Sequence, residues 1–286
     1  MKAIVLNLSA WVMLPIMDGF AKYLSSTLPV LQITWSRYFF TVVIVLPIML
    51  IFFRKNLTWT EKPKLQLIRG LILFCANILF FYSISIISLA KALTLAFIAP
   101  LIVTALSPVL LGEKVGFRRW AAVVIGFIGS LVVIRPGFVE FNLASIAALG
   151  TGILYGFYLI ITRKLHDADN PLLTLLLTGI VGAILGTMIM PTVWVQPTIS
   201  EWYMMFAIGF FASIGHLFLI LSLKYADASK LAPFGYFEIL PNIIIGYYFF
   251  SHFPDSWTFI GLFIIISSGT YIFKREIETK STYYSK

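Results

Sequence analysis

Ten long apolar runs divide this sequence, and they restrict its fold more than any other feature. A helix needs about 20 apolar residues to cross a bilayer, and every run comes close to that length. Because apolar residues follow one another without alternating, the runs predict an all-α membrane protein and not a β-barrel. The approximate limits of the runs are 3–24, 31–53, 67–87, 91–111, 118–135, 143–163, 171–192, 202–223, 230–250 and 257–273.

Composition agrees with a single transmembrane domain over residues 1–286. Charged residues make up 12% of the chain, whereas soluble proteins contain about 25%. The first run follows Lys2 like a secretory signal, but it is long, contains Asp18 and lacks a small-residue cleavage pattern, so we expect a retained span. Cys75 is the sole cysteine, which excludes a disulfide framework and a multi-cysteine metal site.

The net charge of +9 indicates membrane orientation and not nucleic-acid binding, because basic residues cluster in the short connections. With the N-terminus in the cytoplasm, the outer connections contain few basic residues beyond Arg135, and Lys22 and Lys91 lie at span ends. This asymmetry predicts that both termini are cytoplasmic. The basic residues then placed on the inner side are Arg54, Lys55, Lys62, Lys64, Lys114, Arg118, Arg119, Arg163, Lys164, Lys224, Lys274 and Arg275.

The chain contains an internal repeat. Shifting it along itself by 139 residues superimposes four pairs, Asn77 on His216, Ser83 on Ser222, Lys91 on Lys230 and Glu113 on His252. We therefore expect five-helix repeats over 1–135 and 143–275. Since five is odd, the second repeat enters the membrane with opposite orientation. Such inverted repeats are typical of secondary transporters that alternate access around a central site.

Ionisable residues inside apolar spans are costly and need a partner or a function. Asp18 and Arg37 fall at similar depth in neighbouring antiparallel spans. We expect Asp18 to be neutralised by Lys22 or by Arg37, with Lys22 reaching outward to the interface. A pair of this kind either locks two helices together or contributes to binding a substrate or ion.

Glu238 lies about halfway through the ninth span, between Pro233 and Pro241. Prolines interrupt the backbone hydrogen bonds of a helix and often mark helices that line a cavity. No cation is adjacent in sequence, so Glu238 either finds one across the bundle or carries a proton. A purely structural role is the alternative.

Further polar and aromatic residues fall deep in the predicted spans. Asn77 and His216 occupy equivalent positions of the repeats, so they are candidates for hydrogen bonding a ligand or, alternatively, each other's helices. Trp35, Tyr82, Tyr155, Tyr158 and Tyr236 are deep enough to form a flat-sided pocket for a planar or cationic solute. Packing is the alternative for these side chains.

No motif indicates an enzyme. HExxH, GxSxG and the phosphate-binding glycine loop are all absent from the sequence, and the "GEKVG" segment lacks the context of a P-loop. We therefore expect no cofactor and no metal, and ATP-driven transport would need a separate subunit. A channel would differ from a carrier by flux that does not saturate.

Several stretches resemble the drug/metabolite transporter superfamily, in particular its EamA-type ten-helix members, over nearly the whole chain. They are the pair Arg37-Tyr38, "IAPLIVTALSPVLLGEKVGFRRWAAVVIGFIGSLVVI" and "ADASKLAPFGYFEILPNIIIGYYFFSHFPDSWTFIG". The "LGE" ending at Glu113 looks like a family motif, and its counterpart here is Ser251-His252. We expect Glu113 to cap the helix that follows it.

The segments "DGFAKYL", "APFGYFEIL" and "FPDSWTFIG" look most like a bacterial inner-membrane subgroup that includes importers of riboflavin and of S-adenosylmethionine. The resemblance implies the fold, a central cavity and transport of a small organic metabolite. We also expect a multi-pass monomer or homodimer, with a proton as candidate coupling ion. Riboflavin is the first expected substrate, S-adenosylmethionine the second, and export of amino acids or metabolites the third. The expected cavity residues are Asp18, Arg37, Asn77, Tyr82, Tyr155, Tyr158, His216, Tyr236 and Glu238.

Overall fold

The structure is a computed structural model that describes residues 1–56, 58–134 and 142–251 and scattered positions between 256 and 271. All regular secondary structure in these residues is helical. The helices are α1 (Lys2–Leu24), α2 (Val30–Phe52), α3 (Pro63–Ile86), α4 (Leu89–Ala96), α5 (Ile98–Leu111), α6 (Phe117–Ile134), α7 (Leu143–Lys164), α8 (Pro171–Val193), α9 (Ile199–Tyr225), α10 (Ala228–Leu231) and α11 (Ile239–Phe250). Short 3₁₀ segments cover Arg54–Asn56 and Ala232–Glu238.

Within the described residues, seven helices are long and apolar enough to span a bilayer. They are α1, α2, α3, the α4–α5 pair, α7, α8 and α9, and they confirm the prediction of an all-α membrane protein. The three remaining predicted spans coincide with α6, with the broken helix 228–250 and with helical positions after 256. The number of ten therefore stays a prediction. Arg135, His252, Lys274 and Arg275 lie outside the described residues.

The helices pack as two equivalent sets. Among the described residues, α1, α2 and α3 have counterparts α7, α8 and α9 about 139 residues later, within a few residues at each end, and the region of α4 and α5 corresponds to 228–250. Helix α1 packs along α9 just as α7, its counterpart, packs along α3. Helix α4 and helix α5 contact α7, and the 3₁₀ segment and α11, which lie in the equivalent region 228–250, contact α1. Exchanging the two halves thus preserves the contacts, as two repeats related by a two-fold axis require.

The fourth helix of each repeat is interrupted, and the two interruptions meet. Phe97 separates α4 from α5, and the 3₁₀ segment Ala232–Glu238 separates α10 from α11. The rings of Phe97 and Tyr236, 139 residues apart, lie edge to face at 5.1 Å. The Tyr236 hydroxyl donates to the Phe97 carbonyl at 3.5 Å. The repeat axis therefore passes between two broken helices, an arrangement that places backbone polar groups near a midplane site.

Candidate substrate cavity

A cavity lies between the two repeats. Its walls come from α1, α3, the α4–α5 pair, α7, α9 and the interrupted ninth span. Most of the lining is aliphatic or aromatic, so a few polar groups stand out. These polar lining residues are Asn7, Asp18, Asn77, Thr151, Tyr155, His216 and Glu238.

One face of α1 forms a wall of the cavity. Asn7, Trp11, Leu14 and Asp18 follow one another at spacings of three or four residues, which brings them onto one side of the helix. The Trp11 indole donates to Asn7 Oδ1 at 2.7 Å, and the Asn7 amide donates to Ser222 Oγ at 3.2 Å. Our sequence analysis missed Asn7 and Trp11, although their helical spacing from Asp18 was visible in the sequence.

Asp18 does not have the partner that the sequence predicted. Its side chain is buried, and Oδ1 has no hydrogen-bond partner. The Lys22 ammonium instead donates to the carbonyls of Ile84 at 2.6 Å and Ile87 at 3.0 Å. Carbonyls at a helix C-terminus lack intrahelical donors and attract a cation, so the prediction of pairing with Lys22 was wrong.

Arg37 is not the ion-pair partner of Asp18 either. Its Nη2 atom donates to His216 Nε2 at 2.5 Å, and its Nε atom contacts Met17 Sδ at 3.3 Å. Asp18 interacts with this guanidinium only through space. Among the described residues, therefore, no cation forms an ion pair with Asp18.

Glu238 lies where the 3₁₀ segment passes into α11, and it lines the same cavity as Asp18. The expected interruption between Pro233 and Pro241 is confirmed by the 3₁₀ geometry of Ala232–Glu238. The two carboxyls interact electrostatically, and in the described part of the chain no cation forms an ion pair with Glu238. The cavity thus contains two acidic groups without a basic partner.

Aromatic rings cover another side of the cavity. Tyr155 lines it and stacks on Tyr158 with ring centroids 5.3 Å apart. Trp11 meets Tyr155 edge to face at 6.3 Å. The Tyr155 hydroxyl is buried without a hydrogen-bond partner. A ligand in the cavity would therefore meet flat apolar surfaces and an unused hydroxyl donor.

A buried hydrogen-bond network lies behind the cavity wall. His216 lines the cavity, and its Nδ1 atom lies 2.9 Å from the Tyr158 hydroxyl. Since Arg37 can only donate, His216 Nε2 accepts, and the proton of the neutral ring is on Nδ1. Arg69 donates to the same Tyr158 hydroxyl at 2.8 Å. Asn77 donates to the Tyr38 hydroxyl at 2.6 Å and to the Leu73 carbonyl at 2.7 Å.

The expected site residues separate into two groups. Asp18, Asn77, Tyr155, His216 and Glu238 line the large cavity. The others do not: Arg37 and Tyr158 line a smaller cavity, Tyr236 is buried against Phe97, and Tyr82 is half-buried on α3 outside the wall. Sequence analysis also missed Arg69, which is fully buried, although it falls inside the predicted span 67–87.

Glu113 caps a different helix from the one expected. Its carboxylate accepts hydrogen bonds from the backbone amides of Ala228 and Ser229, each at 2.9 Å, at the start of α10. The prediction that it caps the following helix, α6, was wrong. Gly112, with φ of +68°, turns the chain away from the end of α5 and lets Glu113 reach across the bundle.

Arg163 joins Glu113 at the end of the bundle that is predicted to be cytoplasmic. The guanidinium lies 3.4 Å from Glu113 and 3.1 Å from Asp227, and it also donates to the Leu223 carbonyl at 2.8 Å. Leu223 is the repeat counterpart of Ile84, the residue whose carbonyl binds Lys22. Each repeat thus uses a basic residue late in its first helix to hold the end of its own third helix.

Inverted repeats, two broken helices and a central cavity with unpaired acidic groups define a membrane transporter for a small solute. Comparison with protein families gives the same class. The EamA-like transporter family matches residues 1–135 and 142–273, so the chain belongs to that family and is a multi-pass protein of a bacterial inner membrane.

Named relatives are similar over most of the chain. An S-adenosylmethionine uptake transporter of Rickettsia prowazekii (strain Madrid E) is 29% identical over 265 residues, covering 93% of this chain and 90% of its own length. A riboflavin transporter of Vibrio cholerae is 24% identical, with coverages of 96% and 93%. A pseudopaline exporter of Pseudomonas aeruginosa is 24% identical, covering 88% of both chains.

A solved crystal structure has the same fold. It superimposes with a TM-score of 0.75 at 18% sequence identity, covering 93% of this chain and 94% of its own. At this level of identity, the likeness concerns the arrangement of the helices.

Proposed function

We propose that this protein is a secondary transporter that imports S-adenosylmethionine. The observation that carries the proposal is the pair of carboxyls, Asp18 and Glu238, which share one cavity without an ion-pair partner among the described residues. An unpaired buried carboxylate is unfavourable, so the cavity favours a positively charged solute. S-adenosylmethionine brings a sulfonium and an ammonium group.

The other walls of the cavity suit the rest of this substrate. The rings of Trp11 and Tyr155 offer faces on which an adenine or a sulfonium can stack, the latter through cation–π attraction. Asn77 offers an amide that can hydrogen bond to the polar edge of a nucleoside, and the ring of His216, whose two nitrogens are engaged by Arg37 and Tyr158, lies in the opposite repeat's part of the wall. The similarity to uptake transporters for S-adenosylmethionine supports the same choice.

We propose that transport proceeds by alternating access, without ATP. The cavity lies between the repeats, so a change in their relative position would expose it to one side of the membrane and then to the other. The contacts of Arg163 with Glu113 and Asp227 would have to separate when the end that they close opens. Glu238, which has no cation partner in the described chain, is the proposed carrier of a coupling proton.

Riboflavin is the second candidate substrate. Stacked Tyr155 and Tyr158, with Trp11 beside them, form a wall that suits a flat isoalloxazine ring. The similarity to a riboflavin transporter supports this choice. Riboflavin has no positive charge, however, so it would leave Asp18 and Glu238 uncompensated, and we place it after S-adenosylmethionine.

Uptake by intact cells tests the proposal. Cells that cannot synthesise S-adenosylmethionine would express this protein, and the entry of radiolabelled S-adenosylmethionine would be compared with that in empty-vector cells. We expect saturable uptake that unlabelled S-adenosylmethionine blocks and that riboflavin and amino acids leave unchanged. Uptake that does not exceed the vector control, with the protein verified in the membrane, would reject S-adenosylmethionine import. Saturable riboflavin uptake would then favour the second candidate.

A further inference from the structure

We infer that a second, smaller cavity binds a monovalent anion through Arg37. This Arg37 cavity lies between α2, α3, α7, α8 and α9, behind the wall of the large cavity, and has room for about one water-sized group. Of the described residues, His216 alone lines both cavities. The polar residues that line the Arg37 cavity are Arg37, Tyr38, Thr41, Tyr158, Thr178 and His216.

Arg37 leaves donors unused in this cavity. The side chain is 2% exposed. Its Nη2 and Nε atoms are engaged by His216 and Met17, but the buried Nη1 atom has no hydrogen-bond partner. The guanidinium carbon lies 4.7 Å from the centre of the Tyr38 ring, but a buried donor without a hydrogen-bond partner is still costly.

Two tyrosine hydroxyls add to the surplus of donors. The Tyr38 hydroxyl accepts from Asn77, and the Tyr158 hydroxyl accepts from Arg69 and from protonated His216 Nδ1. Each hydroxyl still has its own proton to donate. Arg37, Tyr38 and Tyr158 therefore offer hydrogen-bond donors around one small cavity, and such a set is suited to an anion.

Among the described residues, no carboxylate contacts the positive charge at this site. Arg69 is fully buried, and its hydrogen-bond partners in that part of the chain are neutral: the hydroxyls of Thr162, Thr178 and Tyr158 and the Thr174 carbonyl. His216 is neutral because its Nε2 atom accepts from Arg37. Asp18 acts on Arg37 only through space and lines the other cavity. An anion beside Arg37 would supply the missing counter-charge.

The bound anion can come from two sources that share this chemistry, a free halide or the carboxylate of a solute that reaches past His216. Because the cavity has room for about one water-sized group, a single small ion fits it better than a solute carboxylate with its attached carbon chain, which favours the halide. Binding of a free halide does not depend on which solute the large cavity takes, so the inference can be tested even if the proposed function fails.

Chloride is the probe for the test. Purified protein would be dialysed against ³⁶Cl⁻, with gluconate keeping the ionic strength constant. We expect saturable, stoichiometric binding by the wild type, weakened at least about tenfold in Arg37→Lys, because an ammonium cannot reproduce the guanidinium donor geometry. The exposed Arg118 provides a control, since Arg118→Gln removes a positive charge elsewhere and should bind chloride like the wild type.

Competition distinguishes the two sources and does not require a variant to fold. Chloride that S-adenosylmethionine fails to displace supports a free halide. Chloride that is displaced by S-adenosylmethionine but not by its decarboxylated analogue assigns the site to a solute carboxylate. The inference is overturned if the wild type shows no saturable chloride binding and binds S-adenosylmethionine no better than its decarboxylated analogue. Chloride binding that is unchanged in a folded Arg37→Lys protein would overturn it too.

Discussion

Apolar helices of this protein contain the acidic residues Asp18 and Glu238, and both residues lie in the wall of the large cavity. A carboxyl at this depth costs a few kcal/mol on membrane-insertion scales. A helix-locking role would require a cation in contact, and in the described residues the candidate cations Lys22 and Arg37 have other partners. Their position in the cavity wall therefore favours a role in recognising charge.

Replacing Asp18 tests this role at a single residue. We expect Asp18→Asn to raise the KM for S-adenosylmethionine about 10- to 100-fold, since a hydrogen bond to a charged group contributes about 1.5–3 kcal/mol. The measurement is initial uptake rate against substrate concentration. Glu201→Gln is the matched control, because Glu201 lies in the exposed cap of α9 and glutamine preserves that cap. An unchanged KM in Asp18→Asn would exclude contact with the substrate.

Glu238 allows coupling to be separated from binding. We predict that Glu238→Gln abolishes uphill accumulation, because glutamine cannot release a proton, but retains exchange of internal for external substrate at concentrations high enough to saturate a weakened site. Both modes would be measured in proteoliposomes, with and without an imposed proton gradient. An equal loss of both modes would contradict the coupling role and indicate a defect in binding or folding.

At the scale of helices, some features could be predicted from the sequence and others could not. Spans could be predicted from hydropathy because each helix must satisfy its own backbone in lipid. The broken ninth span followed from Pro233 and Pro241, but the break at Phe97 has no such signal at that residue. The partner of Glu113 could not be predicted, because helix pairing across the repeats brings α10 to it.

The contact between α4 and α7 depends on a glycine. A Cβ atom on Gly152 would lie 2.4 Å from the Ala96 carbonyl oxygen, which belongs to the backbone and cannot rotate away. We expect Gly152→Ala to destabilise the protein by about 1–3 kcal/mol, seen as a lower thermal unfolding midpoint in detergent. Gly246→Ala is the control, since a Cβ there has no neighbour within 4 Å. Equal midpoints for both variants would show that the helices do not approach this closely.

The contacts of Glu113 at the start of α10 allow a test of whether they hold the predicted cytoplasmic end of the bundle closed. Glu113→Gln removes the charge that faces Arg163, an interaction worth about 1 kcal/mol when partly exposed. We expect this end to open about fivefold more often. The readout is the rate at which an impermeant maleimide labels Leu223→Cys, a cavity-lining position, in a Cys75→Ser background. A labelling rate equal to that of the Glu113 parent would mean that these contacts do not hold the end closed.

At the scale of the whole molecule, the repeat was the most informative property of the sequence. The 139-residue offset agrees with the limits of equivalent helices and with the contact between Phe97 and Tyr236. The repeat also predicted a shared central location for Asn77 and His216, and both line the cavity. It did not reveal Arg69, Asn7 or Trp11, whose importance depends on which helix faces meet.

The central claim is that one cavity between two inverted repeats carries S-adenosylmethionine across the membrane without ATP. Counterflow in proteoliposomes tests it most directly: vesicles loaded with unlabelled S-adenosylmethionine are diluted into a trace of labelled substrate. We predict transient accumulation of label in vesicles that contain the protein and contain no ATP, with no effect of external riboflavin. Label that stays at the level of protein-free vesicles, or counterflow with riboflavin alone, would contradict the account.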